Sequence, residues 1–169
     1  MLTVVSDTHA REGHCLEGRT LTAVREADLV VHAGDFLTEA VLDAVLAEAG
    51  SLAAVTGNND TPAVRERLPP RRVVEAEGLR LVVVHGHEHS GTALSLLGRQ
   101  EDADVVVFGH SHDPGVRAGD GVTLLNPGSH AQPRGNRPAH AELERDEDGV
   151  AGRLVEPDGT VIERFRVET

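Results

Sequence analysis

The sequence contains no tryptophan, no tyrosine and no lysine, and its 169 residues include three phenylalanines and one cysteine. With so few aromatic side chains, the core must be built mainly from Val, Leu and Ala. The single cysteine, Cys15, excludes an intramolecular disulfide framework and argues against a cysteine-based metal site. No apolar run reaches the length of a membrane span, and no basic leader is present, which predicts a soluble cytoplasmic protein. The length predicts one domain over residues 1–169.

Positive charge is also scarce. All 16 basic residues are arginine, and they face 28 acidic residues for a formal net charge of −12. This balance fits the codon usage of a GC-rich genome, and it also fits a salt-adapted surface that acidic side chains keep hydrated. The net field repels polyanions, which argues against a nucleic-acid polymer as the partner.

Apolar strand patterns alternate with helical patterns over the first two thirds of the chain, which is typical of α/β layering. One predicted helix is LTEAVLDAVLAEAG with Gly50 as its C-cap, and another is TPAVRERL with Thr61 as N-cap and Pro62 at its first position. After Asp113 the pattern becomes all-β, with a hairpin turning at residues 118–121 and then three strands joined by Asp-Gly turns. We expect this C-terminal meander to form a second sheet packed on the first.

Five apolar runs end in side chains of the kind that bind metals. The runs are TVVSDTH, LVVHAGD, LAAVTGNND, LVVVHGH and VVVFGHSH, and their polar tips are Asp7, His9, Asp35, Asn58, Asn59, Asp60, His85, His87, His110 and His112. Sites form at the carboxyl ends of strands, because the loops converge there. Glycines 34, 57, 86 and 109 accompany four of these tips, and glycine lets the backbone turn sharply beside a ligand.

Each motif alone also has an ordinary structural interpretation. Asp-x-His and Gly-Asp are common in turns, and Gly-Asn-Asn-Asp fits an Asx-turn before a helix. Gly-His-Ser-His is more specific, because a strand period points His110 and His112 to the same side. Five motifs in this order predict a real site, whereas His14 and His32 are interpreted as structural or exposed.

The donor set consists of carboxylates, imidazoles and amides, without thiolates. Such donors suit Mn²⁺, Fe²⁺, Zn²⁺, Ni²⁺ or Co²⁺. They outnumber the ligands of a single four-coordinate ion. Two ions that share a bridging carboxylate would use the whole set, and paired ions are a known device for in-line displacement at phosphorus.

The order of the motifs resembles the signature of the calcineurin-like metallophosphoesterase superfamily, namely Asp-x-His, Gly-Asp, Gly-Asn-x-Asp/Glu, a later His and Gly-His-x-His. The short length and the segments NPGS (126–129) and QPRG (132–135) resemble its small prokaryotic phosphodiesterase branch. The resemblance covers nearly the whole chain. It implies an α/β (α+β) fold, in which a two-sheet β-sandwich is flanked by helices.

The resemblance also implies two divalent metal ions, with Mn²⁺ favoured. Seven ligands are implied: Asp7, His9 and His112 for the first ion, Asn58, His85 and His110 for the second, and Asp35 as the bridge. The implied reaction is attack of a metal-bridging hydroxide on a small phosphodiester, while the ions and the catalytic amide of Asn58 stabilise charge on the phosphoryl oxygens. His87 and Arg134 are candidates for binding the substrate phosphate.

One position departs from the larger relatives, many of which carry a histidine that can protonate the leaving group. Asn59 stands at this position, which predicts weak catalysis for poor leaving groups, and Asp60 is interpreted as a supporting or helix-starting residue. Three alternatives stay open: a phosphomonoesterase, a short-oligomer nuclease, and a non-catalytic scaffold like the retromer-coat subunit, whose metal site is degraded. The sequence also leaves open a homo-oligomer and the identity of the substrate.

Overall fold

The computed structural model describes residues 1–119 and 121–167, which form two β-sheets and four helices. The strands are β1 (Leu2–Val5), β2 (Leu29–His32), β3 (Leu52–Ala54), β4 (Arg71–Ala76), β5 (Leu79–Val84), β6 (Val105–Val107), β7 (Gly115–Gly119), β8 (Val122–Asn126), β9 (His140–Asp146), β10 (Gly149–Val155) and β11 (Val161–Val167). The helices are α1 (Gly18–Glu26), α2 (Glu39–Glu48), α3 (Pro62–Arg67) and α4 (Gly91–Gln100).

The strands are ordered β11-β10-β9-β1-β2-β3 in the first sheet and β4-β5-β6-β8-β7 in the second. The strands that precede the polar tips are parallel within each sheet, β1, β2 and β3 in one and β5 and β6 in the other. Strand β8 is also parallel to β6, and the remaining strand pairs of both sheets are antiparallel. The predicted α/β architecture of two sheets flanked by helices is therefore confirmed.

The prediction that the C-terminal meander forms the second sheet is wrong. Strand β9 pairs antiparallel with β1, so β9, β10 and β11 extend the first sheet. The reason is that β2 pairs with only one edge of β1, and β9 satisfies the backbone groups of the other edge. Strands β7 and β8 form the predicted antiparallel hairpin, although Asp120, in its predicted turn at 118–121, lies outside the described residues.

Helix boundaries follow the sequence signals with one exception. Thr61 is the N-cap of α3 and Pro62 is its first residue, as predicted. The predicted cap of α2 at Gly50 is wrong, because Ala49 is the C-cap and Gly50 does not adopt the left-handed conformation that favours glycine there. In the part of the chain that the structure describes, no helix is long and apolar enough to span a membrane.

The main core lies between the two sheets and is built from Val, Leu and Ala, as the shortage of aromatics predicts. Val4 of β1 and Val31 of β2 face the opposite sheet, whereas Val5 and Val30 pack on the side covered by α1. Strands β1, β2 and β6 are buried on both faces, so their sequences are nearly continuous apolar runs. Phe36 is the one phenylalanine among the buried hydrophobic residues described, and it packs between α2 and α3.

Helix α4 covers the outer face of the second sheet. The Ser90 hydroxyl accepts a hydrogen bond from the Ala93 backbone N–H (3.2 Å), which caps the N-terminus of the helix. Leu94 and Leu97 are buried against the sheet, where they pack in one cluster with Leu124 of β8. This packing fixes the first turn of α4 above the end of β6.

A buried charge cluster joins α1 to the first sheet. The Glu142 carboxylate, 3% exposed, accepts hydrogen bonds from Arg19 Nε (2.8 Å) and Nη2 (2.7 Å), and from Arg153 Nη2 (2.6 Å). His140 Nε2 lies 3.0 Å from the same carboxylate. Burial raises the pKa of Glu142, but hydrogen bonds from His140 and the two arginines outweigh burial and hold that pKa well below its ordinary value.

Candidate metal centre

The carboxyl ends of β1, β2 and β3 in the first sheet meet those of β5 and β6 in the second. All seven predicted ligand residues lie in the loops that follow these strands. Backbone hydrogen bonds tie the loops together: the Asp7 N–H donates to Gly34 O (3.0 Å), and the Gly109 N–H donates to His85 O (2.9 Å). Two sheets therefore contribute side chains to one place.

Most of these loop residues have a strained backbone. Positive φ angles between 45° and 69° occur at Asp7, His9, Asp35, His110 and His112. The left-handed conformation costs a residue other than glycine about 1–2 kcal/mol, and such strain clusters at functional sites. The prediction that His110 and His112 point to the same side of an extended segment is wrong, because β6 ends before them and His112 is fully buried while His110 is exposed.

Two glycines are required by close approach to the carboxylates. A Cβ on Gly57 would lie 2.1 Å from Asp35 Oδ1, and a Cβ on Gly109 would lie 2.5 Å from Asp7 Oδ2. Neither carboxylate can keep its position beside a larger residue. The glycines in the Gly-Asn-Asn-Asp and Gly-His-Ser-His motifs therefore let the backbone pack directly on the acidic side chains.

The first cluster consists of Asp7, His9 and His112, all buried. His112 Nδ1 donates its proton to the carbonyl oxygen of Gln132, which leaves the Nε2 lone pair 3.3 Å from Asp7 Oδ1. Asp7 Oδ1 and His112 Nε2 are buried and have no hydrogen-bond partner among the described residues, whereas His9 Nε2 is buried beside the carboxylates of Asp35 (3.1 Å) and Asp7 (3.6 Å). Acceptor atoms that face each other away from water repel unless a cation, either a proton or a metal ion, lies between them.

The second cluster consists of Asp7, Asp35 and His85, so the two clusters share Asp7. His85 Nδ1 donates to the carbonyl oxygen of Ala33 (2.8 Å), which directs Nε2 toward Asp35 Oδ2 at 3.2 Å. The second nitrogen of a metal-binding histidine is usually oriented in this way. Asn58 Oδ1 joins this side of the site, at 3.0 Å from His85 Nε2.

Asp35 and His110 connect the two sides. Asp35 Oδ2 lies 3.1 Å from His9 Nε2 as well as 3.2 Å from His85 Nε2. His110 Nδ1 lies 3.2 Å from Asn58 Oδ1, and the His110 backbone N–H donates to Asp7 Oδ2 (3.0 Å). The atoms of both clusters could therefore bind two neighbouring cations.

The electrostatics of the site favour an ionised carboxylate beside a protonated histidine. Burial raises the pKa of Asp35, but His85 and His9 outweigh burial and keep that pKa well below its ordinary value. Burial lowers the pKa of His9, but Asp35 and Asp7 outweigh burial and raise that pKa to about 9. Without a metal ion, both ring nitrogens of His9 are therefore protonated at neutral pH. A metal ion must displace one of these protons to bind.

Asn59 and Asp60 support the site. The Asn59 backbone N–H and its Nδ2 donate to the two oxygens of Asp35, each at 2.8 Å. Asp60 accepts hydrogen bonds from the backbone N–H groups of Asp35 (3.2 Å), Leu37 (2.8 Å) and Gly57 (2.7 Å). The supporting role predicted for Asp60 agrees with these contacts.

Four further residues hold the ligands in place, and the sequence reasoning assigned none of them a role. Ser6 Oγ donates to Asp7 Oδ2 (2.7 Å), and Ser129 Oγ donates to Asp7 O (2.7 Å). Asn126 Nδ2 donates to the Gly109 carbonyl (3.1 Å), while Gln132 anchors His112 through its own carbonyl. Asn126, Ser129 and Gln132 belong to the segments NPGS and QPRG, whose resemblance to the small branch is their signal in the sequence, and Ser6 has no such signal.

The two predicted substrate-binding residues differ in position. His87 lies at the rim, with its ring centroid 5.5 Å from that of His85 and 6.1 Å from that of His110. Arg134 is exposed, and within residues 1–119 and 121–167 its side chain has no hydrogen bond or ion pair. The structure thus brings the ring of His87 to the rim of the cluster, and Arg134 lies two residues after Gln132, whose backbone carbonyl contacts His112.

His14 and His32 lie outside the ligand set, as predicted. His14 Nδ1 accepts a hydrogen bond from a backbone N–H, 2.9 Å away, near the protein surface. His32 is fully buried beneath the site, where Nδ1 accepts from the Gly34 N–H (3.1 Å) and Nε2 donates to Thr8 Oγ1 (2.9 Å). The His32 ring stacks on Phe36 with centroids 3.7 Å apart, so it is a structural residue.

Comparison with known proteins identifies the family. The calcineurin-like phosphoesterase superfamily domain matches residues 1–147. A probable metallophosphoesterase of Bacillus subtilis is 33% identical over 168 residues, which cover 95% of this chain and 93% of that protein. A phosphodiesterase of Methanocaldococcus jannaschii is 25% identical over 136 residues, which cover 74% of this chain and 81% of that protein.

The fold has solved counterparts as well. The crystal structure of Vps29 from Entamoeba histolytica, complexed with zinc, aligns with a TM-score of 0.80 at 22% identity, covering 98% of each chain. At this identity the likeness shows a shared fold alone. Together with the family match and the relatives in sequence, it leads to one conclusion: the chain belongs to the calcineurin-like phosphoesterase superfamily, a hydrolytic family whose members bind divalent metals.

Proposed function

We propose that this chain hydrolyses small phosphodiesters at a centre of two divalent metal ions. One observation carries the proposal: the ligand atoms of Asp7, His9 and His112 lie within 4.8 Å of one another, and two of them, Asp7 Oδ1 and His112 Nε2, are buried with no hydrogen-bond partner among the described residues. A second cluster of the same kind shares Asp7. Two clusters joined by a carboxylate suit a pair of ions.

The proposed ligands are the seven residues at the strand ends. They are Asp7, His9 and His112 for one ion, Asn58, His85 and His110 for the other, and Asp35 as the bridge. The position of Asp35 Oδ2, 3.1 Å from His9 Nε2 and 3.2 Å from His85 Nε2, supports its bridging role. We propose Mn²⁺ as the bound ion, with Fe²⁺, Zn²⁺, Ni²⁺ or Co²⁺ as the other ions that suit this donor set.

Ions held there would lower the pKa of a bound water and neutralise charge on the phosphoryl oxygens. The chain itself orients the ligands, since Asn59 fixes both oxygens of Asp35 and the Ala33 carbonyl fixes the tautomer of His85. Asn59 is not an acid, and its amide is already bonded to Asp35. Esters with acidic leaving groups should therefore react fastest, because they need no proton from the enzyme.

The net charge of the protein and the name of one relative favour a small phosphodiester as the substrate over other phosphate esters. The relative from M. jannaschii carries the name phosphodiesterase, which supports a diester over a monoester. The net charge of −12 argues against a nuclease that follows a polyanion. Strands β10 and β11 continue the first sheet beyond the region of the family match, which supports one metallophosphoesterase domain over residues 1–169.

The scaffold alternative rests on the likeness to Vps29, and this likeness extends to the fold alone. The Vps29 crystal structure contains zinc, so metal binding by itself does not separate an enzyme from a protein of that kind. Turnover does separate them. The experiment must therefore measure hydrolysis as well as metal binding.

The test uses chelator-stripped protein, a chromogenic phosphodiester and its monoester, with and without Mn²⁺. We expect diester turnover that requires Mn²⁺ and falls about 100-fold in Asp35→Asn, which alters the proposed bridge. The matched control is Asp43→Asn, because Asp43 is an exposed aspartate of α2 that pairs with Arg67 (2.8 Å), and this variant should keep full activity. Monoester preference would instead indicate a phosphatase. Folded protein that turns over neither ester with any of the five metals would overturn the proposal and favour the scaffold.

A further inference from the structure

A cavity of about 250 Å³ opens beside the candidate metal centre. It lies between the first turn of α4, the loop that follows β6, and the hairpin of β7 and β8. Gly109 and His110 form its wall on the side of the centre, and its apolar lining comes from Leu94, Phe108 and Leu124. The reaction chemistry described above uses no part of this apolar surface.

We propose that this cavity binds an aromatic ester group of the substrate while the phosphate lies at the metal centre. This inference rests on the proposed function and deepens it by naming the substrate class, an aryl or heteroaryl phosphodiester. His110 connects the two places, because it lines the cavity and its Nδ1 lies 3.2 Å from Asn58 Oδ1. A group bonded to a phosphate at the centre would therefore reach the cavity directly.

The lining selects the chemistry of the group. Leu94 is 3% exposed and Leu124 is 8% exposed, so they form part of the packed surface under α4. An apolar surface of this kind favours a group that loses little by leaving water. Arg117 lines the same cavity, and a guanidinium stacks readily on the face of an aromatic ring. Polar side chains also line the cavity, namely His89, Ser111, Asp113 and Asn126, so a flat ring that carries nitrogens or polar substituents fits the whole lining.

The volume selects the size of the group. A cavity of about 150 Å³ lined by apolar side chains is enough to hold benzene. The cavity of about 250 Å³ therefore accommodates one ring with substituents or a fused pair of rings.

The chain offers two positions at which the cavity can be filled without disturbing the fold. Gly91 and Gly115 both line the cavity, and a Cβ on either would meet no atom within 4 Å. Neither has a positive φ, so a larger residue fits their backbone. Gly91→Leu and Gly115→Leu should therefore occupy the cavity from two sides. The matched control is Gly50→Leu, at an exposed glycine that is also free of neighbours and lies far from the site.

The experiment measures binding of phosphonates that cannot be hydrolysed: methylphosphonate, phenylphosphonate and 1-naphthylphosphonate. Zn²⁺-loaded protein with ¹³C-labelled leucine methyl groups is titrated with each and followed by NMR. We expect the aromatic ligands to bind about tenfold more tightly than methylphosphonate, and to shift the methyl signals of Leu94 and Leu124. Both cavity-filling variants should lose this preference while keeping the affinity for methylphosphonate, and Gly50→Leu should keep both.

Equal affinities for the three phosphonates in the wild-type protein would overturn the inference, as would an aromatic preference that survives in both cavity-filling variants. If one of these variants does not fold, the other and the wild-type series still decide. Failure of the proposed function has a different signature. In that case no diester is hydrolysed, or methylphosphonate binds equally well with and without metal. The test of the cavity is independent of these results, because it compares only the affinities of the aromatic phosphonates with that of methylphosphonate.

Discussion

Mild acid should lower the free energy of unfolding, because His32 takes up a proton in the unfolded chain before it does so in the folded protein. Burial lowers the pKa of this fully buried histidine from 6.5 to about 3. Below pH 6.5 the unfolded chain takes up a proton that the folded protein does not, so the contribution to stability is complete above pH 6.5 and is lost as the pH falls toward 3. The loss is about 1.4 kcal/mol for each pH unit. His32→Asn replaces the imidazole by an amide, which can still form hydrogen bonds but does not titrate.

The measurement is urea unfolding followed by far-UV circular dichroism, in the presence of a chelator, since the chain has no tryptophan. From about pH 7.5 to about pH 5.5, the wild-type free energy of unfolding should fall by about 1.4 kcal/mol more than that of His32→Asn. The control Thr8→Val removes the hydroxyl that lies 2.9 Å from His32 Nε2 but leaves the buried ring. It should lower stability at both pH values and keep the wild-type pH dependence. An equal change in the wild-type protein and His32→Asn would refute the reasoning.

Four other predictions follow from the structure. Gly57→Ala places a Cβ 2.1 Å from Asp35 Oδ1, so Mn²⁺ affinity measured by calorimetry should fall at least about tenfold; unchanged affinity would contradict the close-approach argument. Asn126→Ala frees the Gly109 carbonyl, and diester turnover should fall while the unfolding midpoint shifts little; unaltered turnover would show that this anchor is dispensable. Glu142→Gln should lower the free energy of unfolding, measured in urea, by about 2 kcal/mol. This loss is smaller than the loss on breaking a fully buried ion pair, because both arginines that pair with Glu142 are partly exposed, and a change near zero would contradict the prediction. The acidic surface predicts a melting temperature that rises with KCl concentration, and a flat or falling one would count against salt adaptation.

Local pattern predicts the elements of this fold well, and it predicts sheet membership poorly. Buried strands can be recognised as apolar runs. The start of α3 can be recognised from Thr61 and Pro62, because the preferences for an N-cap and for the first helical position are local. The pairing of β9 with β1 joins residues about 140 positions apart, and in-out alternation is the same whichever edge a strand joins. The sequence therefore predicts the meander but not the sheet that it extends.

The same division applies to the candidate site. The residues that gather at the candidate site could be predicted, because their types and their places after apolar runs are local properties. The way that His110 and His112 diverge could not, since it depends on two positive φ angles that the surrounding loops impose. Gln132 was also out of reach, because it anchors His112 through a backbone carbonyl, which every residue type possesses.

The proposed centre takes ligands from both sheets, since Asp7, Asp35 and Asn58 follow strands of the first and His85 and His110 follow strands of the second. Ions bound there would act as a cross-link between the halves of the sandwich, whose other contacts are mostly apolar. A ligand that binds only the folded state stabilises it by about 2.7 kcal/mol at a free concentration 100 times its dissociation constant. The amount of this protein that survives proteolysis in a cell would then follow the supply of the metal, so scarcity would lower both the activity of each molecule and the number of molecules.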